Sequence, residues 1–263
     1  GKLNVVYDDN GISIDGEIDG WFTDDTPARF EAYGWHVVRD VDGHDPDAVA
    51  AAFDEALGET SRPSIICCKT TIGKGSPNKE GTESCHGAPL GADEIVLTRE
   101  ALGWDYEPFV VPDDVYAHWD ARTSGTEAET AWQSLFDAYK SDCPELAEEF
   151  QRRMAGELPV EFLSGVDDFI ARCVANESDV ASRKASQQAI AAIAPNLPEL
   201  LGGSADLAGS NLTLWPGAAR TDASGAEGNY IYYGVREFAM AAMMTGIALH
   251  GGFIPYGGTF LIF

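Results

Sequence analysis

Apolar residues in this chain come in short continuous blocks, separated by stretches in which they recur every three or four positions. LNVVY (3–7), HVVRDV (36–41) and SIICCKT (64–70) are blocks of the first kind. They are apolar without alternation, as strands buried on both faces of a parallel sheet must be. Between them lie two stretches with helical punctuation. TPARFEAYG places Thr26 as N-cap, Pro27 at the first helical position and Gly34 past the end. DPDAVAAAFDEALG uses the same grammar, with Asp45 capping, Pro46 starting and Gly58 stopping. Both follow the preference for proline early in a helix and glycine after it. Strand, helix, strand, helix, strand predicts an α/β fold with parallel sheets flanked by helices.

The pattern then changes. Residues 71–94, TIGKGSPNKEGTESCHGAPLGADE, form a long loop rich in glycine and polar residues, and loops of this length usually serve function. From about 95 to 175 the chain reads as charged and helical, with Trp104, Tyr106, Trp119, Trp132 and Phe136 interspersed. Near residue 180 the α/β grammar returns. SRKASQQAIAAIA is a helix with Ser182 as cap, ELLGGSADL (199–207) runs from strand into loop, YIYYG (230–234) is a short strand, and VREFAMAAMMTGIALHGG (235–252) is a mostly apolar helix. The expected organisation is a first α/β domain over 1–100, a helical linker over 101–178 and a second α/β domain over 179–263. The chain opens directly on a central-looking strand and stops within an apolar run, FIPYGGTFLIF, as a segment of a longer protein would.

Composition narrows the function classes. Forty-three acidic residues oppose seventeen basic ones, a formal charge of −26, and such a surface repels nucleic acid and anionic membranes. No apolar run reaches the roughly 18 residues of a membrane-spanning helix, and no signal-peptide pattern opens the chain. The five cysteines show no zinc spacing, and an odd count does not suit a disulfide framework. Reduced thiols and a cytoplasmic setting are expected. The acidic excess suits either a very soluble protein or one adapted to a high-salt cytoplasm.

In parallel α/β sheets ligands bind beyond the carboxyl ends of the strands. YDDNGI (7–12) lies at such an end. Read locally, Asp8, Asp9 and Asn10 form a strand-to-loop turn whose side chains satisfy backbone donors. The alternative is a hard-cation site, since Mg²⁺ takes oxygen ligands and usually arrives with a phosphate. The Asn10 side-chain oxygen and the Ile12 carbonyl would then be the ligands.

Six stretches taken together resemble transketolase: KLNVVYDDNGISIDGEIDGWFTDDTPARFEAYGWHVVRDVDGHD, KTTIGKGSPNKEGTESCHGAPLG, SRKASQQAI, GGSADLAGSNLT, NYIYYGVREFAMAAMMTGIALHGGFIPY and TFLIF. They occur in the family's order and span nearly the whole chain. The resemblance implies a thiamine-diphosphate-binding fold, with residues 1–100 the latter part of the diphosphate domain and 179–263 the first part of the pyrimidine domain. YDDNGI resembles the closing half of the cofactor motif, in which Asn10 and the carbonyl of Ile12 ligate Mg²⁺ (or Ca²⁺). His86 matches the histidine facing the diphosphate and the reacting carbon. Arg183 and Ser210 match residues that hold the substrate phosphate, a task suited to a guanidinium fork. Glu237 matches the carboxyl group that hydrogen-bonds N1′ of the aminopyrimidine, so that the 4′ nitrogen can take the C2 proton. Phe260 and Phe263 match the aromatic wall behind that ring, with Asp206 and Leu207 beside it. Without the resemblance, His86 would be a loop histidine, Arg183 a surface charge, Ser210 a turn residue, Glu237 a first-turn glutamate complementing the helix dipole, and the phenylalanines plain core.

The implied reaction moves a two-carbon ketol unit reversibly from a ketose phosphate to an aldose phosphate, in a homodimer whose cofactor lies between subunits. Sugar phosphates are the implied partners, and neither nucleic acid nor membrane is. The family's motif begins with a Gly-Asp-Gly whose aspartate is a metal ligand, and that sequence would precede Gly1. Three other readings compete. A dihydroxyacetone synthase is disfavoured by the unbroken SRKAS and GSADLAGSN. An inactive folded fragment would be separated by its cofactor affinity. A nucleotide-binding Rossmann protein lacks the GxGxxG after its first strand.

The charge imbalance generates an expectation of its own. Stability should rise with added salt, because screening acts within about 10 Å at 0.1 M. A melting temperature that is flat or falls between low and molar KCl would reject adaptation to high salt.

Overall fold

The computed structural model describes residues 2–176, 178–221 and 227–262. The chain divides into two compact units, residues 1–120 and 121–263.

The first unit is built on β1 (Asn4–Asp9), the short pair β2 (Ile12–Ser13) and β3 (Gly16–Glu17), helix α1 (Thr26–Ala32), β4 (His36–Asp42), α2 (Pro46–Gly58) and β5 (Ser64–Lys69). After them come a 3₁₀ turn over Glu83–Cys85, α3 (Ala92–Ala101) and α4 (Asp113–Trp119). As the apolar blocks predict, β1, β5 and β4 form one parallel sheet in that order. Strand β5, the middle one, is buried from Ser64 to Cys68, and its neighbouring thiols Cys67 and Cys68 are both free. Burial pushes both thiols up. Helix α2 presents Ala52 and Ala56 to Val41, Ile66 and Cys68. Alanines let a helix lie close on a sheet, and that face forms the core. Asp45 caps α2 by accepting from Asp47 N at 3.0 Å, as its position before Pro46 predicts. The cap of α1 is one residue earlier than expected. Asp25, not Thr26, accepts from Ala28 N at 2.9 Å, and Thr26 is already helical. Aspartate is at least as good an N-cap as threonine, and its carboxylate reaches the N3 donor.

The second unit begins with helices α5 (Arg122–Asp142), α6 (Pro144–Met154) and α7 (Val160–Ala175), then α8 (Ser182–Ile193). A 3₁₀ turn (Ala194–Asn196) leads into β6 (Leu200–Ser204), the short helix α9 (Ala208–Asn211), β7 (Tyr230–Tyr232), α10 (Glu237–His250) and β8 (Ile254–Gly258). Strand β6 lies between β7 and β8, parallel to both. Its Gly202 and Gly203 allow this closeness: a Cβ on Gly202 would sit 2.1 Å from the Tyr256 carbonyl oxygen, and one on Gly203 would sit 1.7 Å from that of Ile231. Ser182 is not the cap of α8. It is the first helical residue, and the preceding Ala181 has no side chain that could cap.

One ion pair ties the helices to the sheet. The Arg152 guanidinium on α6 donates to both oxygens of Glu199, at 2.9 Å each. It also donates to Glu149, at 3.0 and 2.9 Å, and to the Glu157 carbonyl. All five of its N–H groups are thus used. Glu199 is buried at the entrance to β6, where its own carbonyl accepts from Ile254 N. Burial, the largest single influence, works to raise the Glu199 carboxyl, but the Arg152 hydrogen bonds, its own backbone N–H and the charges of Arg152 and Arg153 together hold the group below the usual carboxylate range. Arg152, with Arg153, takes Glu149 down to about 2.

Removing one member of a buried pair leaves the other charge uncompensated. Arg152→Leu should therefore lower unfolding stability by about 3–5 kcal/mol, and Arg152→Leu with Glu199→Leu should recover much of that. A chemical-denaturation series tests both. The folded pKa of each glutamate is depressed, so their stabilisation is complete above the unfolded carboxylate pKa of about 4.3. It is lost as pH falls from there towards about 2.

Candidate functional site

In each unit some of the residues singled out from the sequence follow the ends of parallel strands, Asn10 after β1, Asp206 and Leu207 after β6, and Phe260 after β8. In the first unit β1 ends in Asp8 and Asp9, with Asn10 immediately after. Both aspartates bond across to the end of the neighbouring strand: Thr70 donates its hydroxyl to Asp8, and Lys69 pairs with Asp9. Asn10 turns the chain instead. Its side-chain oxygen accepts from Ile12 N at 2.9 Å, across Gly11, whose φ of +70° favours glycine. The turn and cation readings of this stretch are compatible, since an amide oxygen has two lone pairs and one remains. Among the described residues no group of three or more His, Cys, Asp or Glu side chains could hold a metal ion. Oxygens for a cation here would be those of Asn10 and the Ile12 backbone, together with groups from elsewhere.

The loop over residues 71–94 is held by two carboxylates. Glu94, buried at the start of α3, accepts from the Ser76 hydroxyl, from Asn78 N at 2.8 Å and from Asn78 Nδ2 at 2.9 Å. These bonds, Ser76's first, hold its carboxyl below the usual range. Glu80 accepts from Gly75 N at 2.8 Å. At the loop's start Thr71 N donates to Nε2 of His44, 2.7 Å away, so His44 carries its proton on Nδ1. Neither Glu94 nor His44 stood out in the sequence, since each acts on residues distant in the chain. His86 follows the 3₁₀ turn. Its ring is exposed, and its backbone N donates to the Glu83 carbonyl at 2.9 Å.

In the second unit the structure gathers two groups of residues. Asp206, Leu207 and Glu237 line one open groove of about 510 Å³, with Ala205 and Val235. Glu237 is the first residue of α10, and Asp206 follows β6 with a φ of +57°. Arg183, Ser210 and Phe260 line a second groove, of about 640 Å³. There Nη1 of Arg183 donates to the Ser210 carbonyl at 3.3 Å, which leaves most of the guanidinium fork for another acceptor. Phe260 shares this groove with the phosphate-type residues; Phe263 lies outside the described residues.

Comparison with known proteins gives the same picture. Residues 1–159 match the thiamine diphosphate binding domain of transketolase, and residues 178–263 match its pyrimidine binding domain. The chain is 60% identical over all 263 residues to Transketolase 1 of Aliivibrio fischeri and 59% identical to Transketolase 1 of Escherichia coli. It spans 40% of the length of each. Among solved structures, transketolase from Pichia stipitis in complex with sedoheptulose 7-phosphate superposes with a TM-score of 0.87 at 41% identity, over 98% of this chain and 39% of that one. Transketolase from Leishmania mexicana superposes with a TM-score of 0.87 at 39% identity, over 99% of this chain and 38% of that one. The two domain types, in that order and built on parallel sheets flanked by helices, place the chain among proteins with thiamine-diphosphate-binding and pyrimidine-binding domains. Within that class it belongs to the transketolase family.

The Glu94 contacts can be tested directly, because Lys74 and Lys79 lie on the loop they hold. Glu94→Ala should speed tryptic cleavage at both lysines relative to wild type. Unchanged cleavage would mean that other contacts hold the loop.

Proposed function

We propose that the complete protein containing this chain is a transketolase. It moves a two-carbon ketol unit reversibly between sugar phosphates, using thiamine diphosphate and Mg²⁺ (or Ca²⁺), as a cytoplasmic homodimer. The observation that carries the reading is the groove shared by Asp206, Leu207 and Glu237. Its apolar side, with Ala205, Leu207 and Val235, suits a flat ring, and Glu237 supplies a carboxyl at its edge. When bound, the cofactor supplies the nucleophilic carbon and the electron sink for C–C cleavage.

The chain's own residues have distinct tasks. Glu237 holds a proton against the ring nitrogen of the aminopyrimidine. Asp206 and Leu207 fix that ring in place; the resemblance assigns Phe260 and Phe263 to its aromatic wall, while Phe260 here lines the groove of Arg183 and Ser210. Asn10 and the Ile12 carbonyl ligate the cation that neutralises the diphosphate. His86, on an exposed ring, meets the diphosphate and the reacting centre. Arg183 and Ser210 receive the substrate phosphate, with Arg183 already steered by the Ser210 carbonyl. The sugar phosphate bound in the Pichia stipitis structure supports this substrate class. The apolar helix α10 leaves Phe238 and Leu249 exposed. Such a helix is normally covered, which supports assembly with a second subunit. Free cysteines support a reducing compartment, and the charge of −26 supports a high-salt one.

Two variants of the full-length protein test the assignment. Glu237→Gln keeps size and a hydrogen-bonding group but cannot exchange a proton, so kcat should fall by about 10²–10⁴-fold. Proton exchange at C2 of the bound cofactor should slow in step; exchange at the wild-type rate would reduce Glu237 to a helix-terminus residue. Arg183→Ala should raise KM for phosphorylated acceptors and leave small unphosphorylated aldehydes nearly unaffected, because a uniform binding contact is removed.

A further inference from the structure

Through the second unit runs a chain of side-chain hydrogen bonds with a single direction, and its Asn211 and Thr213 line the groove of Arg183 and Ser210. Asn211 Nδ2 can only donate, and it donates to Ser204 Oγ at 2.8 Å. Ser204 Oγ also accepts from Leu207 N at 3.1 Å, so its own proton goes to the Gly258 carbonyl, 3.2 Å away. Asn211 Oδ1 can only accept, and it does so from Thr213 N at 3.2 Å and from the Thr213 hydroxyl at 2.9 Å. With that proton committed, the Tyr230 hydroxyl must be the donor in its 2.8 Å bond to Thr213. Both ends of the Asn211 amide are fixed by what they meet, so a flipped amide would face donors with donors. Ser204, Thr213 and Tyr230 are buried, where a broken bond leaves an unpaired group at full cost.

This chain links β7, β6 and β8 to α9; Asp206 and Leu207 lie between β6 and α9, Ser210 lies on α9, and Phe260 lies just past β8. Two backbone features show how tightly. Asp206 and Leu212, with φ of +57° and +58°, bracket α9 in a conformation that non-glycine residues keep only where their surroundings enforce it. A Cβ on Gly258 would lie 2.8 Å from Asn211 Nδ2 and 2.4 Å from Thr213 Cγ2. The end of β8 is therefore seated directly on the clamp.

We infer that Asn211 is a positioning residue which, through Ser204 and Thr213, sets the spacing between the ring-binding groove of Asp206 and Glu237 and the phosphate-binding pair Arg183 and Ser210. The inference rests on the transketolase reading. Asn211 lies next to Ser210 in the chain, and its amide bonds Ser204 and Thr213, which bracket the segment that carries Asp206, Leu207 and Ser210. Losing it should disturb cofactor and substrate phosphate together.

The test uses the full-length protein, with thiamine diphosphate affinity, KM for a ketose phosphate, and melting temperature read in parallel. Asn211→Ala should weaken cofactor affinity and raise KM together, with kcat/KM falling about 10- to 100-fold, the scale of a misplacement near 1 Å. Thr213→Val, nearly isosteric, should move both quantities the same way, and Thr213→Ser should recover most of the loss. This pair decides the matter if Asn211→Ala does not fold. If these variants lower only the melting temperature, or change one of the two quantities alone, the residue is merely structural and the inference fails. Arg183→Ala serves as reference. If it does not separate phosphorylated from unphosphorylated substrates, the functional reading fails; if it does while the clamp variants bind normally, only the positioning role falls.

Discussion

A parallel sheet delivers the carboxyl end of every strand to one edge, and that constraint decides where chemistry can collect in both units. In the second unit β6, β7 and β8 end together, with Ser204 level with Tyr232 and Gly258. The loops leaving those ends carry Asp206, Leu207, Ser210, Glu237 and Phe260. In the first unit β1 and β5 end together, where Lys69 pairs with Asp9 and Thr70 donates its hydroxyl to Asp8. The strand edge is thus a place where polar groups must find partners. Asn10 and Arg183, both proposed for the site, keep bonding capacity beyond the bonds they make within the chain.

That view separates residues with similar sequence signatures. Asp8, Asp9 and Asn10 look equivalent as a polar cluster, yet the two aspartates bond across to Thr70 and Lys69, while Asn10 bonds within its own turn. Arg152 and Arg183 are both helix-borne arginines. Arg152 has all its donors engaged by Glu149, Glu199 and the Glu157 carbonyl and is architectural. Arg183 makes one long bond to a carbonyl, which aims the guanidinium without using it up.

Much of the fold was legible because it is written locally. Continuous apolar blocks gave β1, β4 and β5, and proline and aspartate gave the start of α2. The N-terminal position of Glu237 on α10 followed from the switch to an apolar helical run after YIYYG. The misplacements were also local: Thr26 and Ser182 were each expected to cap a helix that begins one residue sooner, α1 capped by Asp25 and α8 by no side chain, because helix ends are fixed by geometry to within a residue or two of the sequence signal. What could not be read were long-range pairs, such as Arg152 with Glu199 or Ser204 with Gly258, separated by 47 and 54 residues. Nothing in periodicity marks them, since they exist only once strand order is set. Asn211 lay inside a recognised stretch, yet its importance appears only when its two partners are seen.

The side-by-side thiols of β5 carry a consequence of a different kind. Successive residues of a strand face opposite sides of the sheet, so Cys67 and Cys68 look into separate layers and cannot join without unmaking the strand. Both are buried and reluctant to ionise, and it is the thiolate that reacts with alkylating reagents. The first unit therefore carries its own chemical clock. Each thiol is silent while its layer is closed, and the order in which the two are labelled reports which side of the sheet opens first.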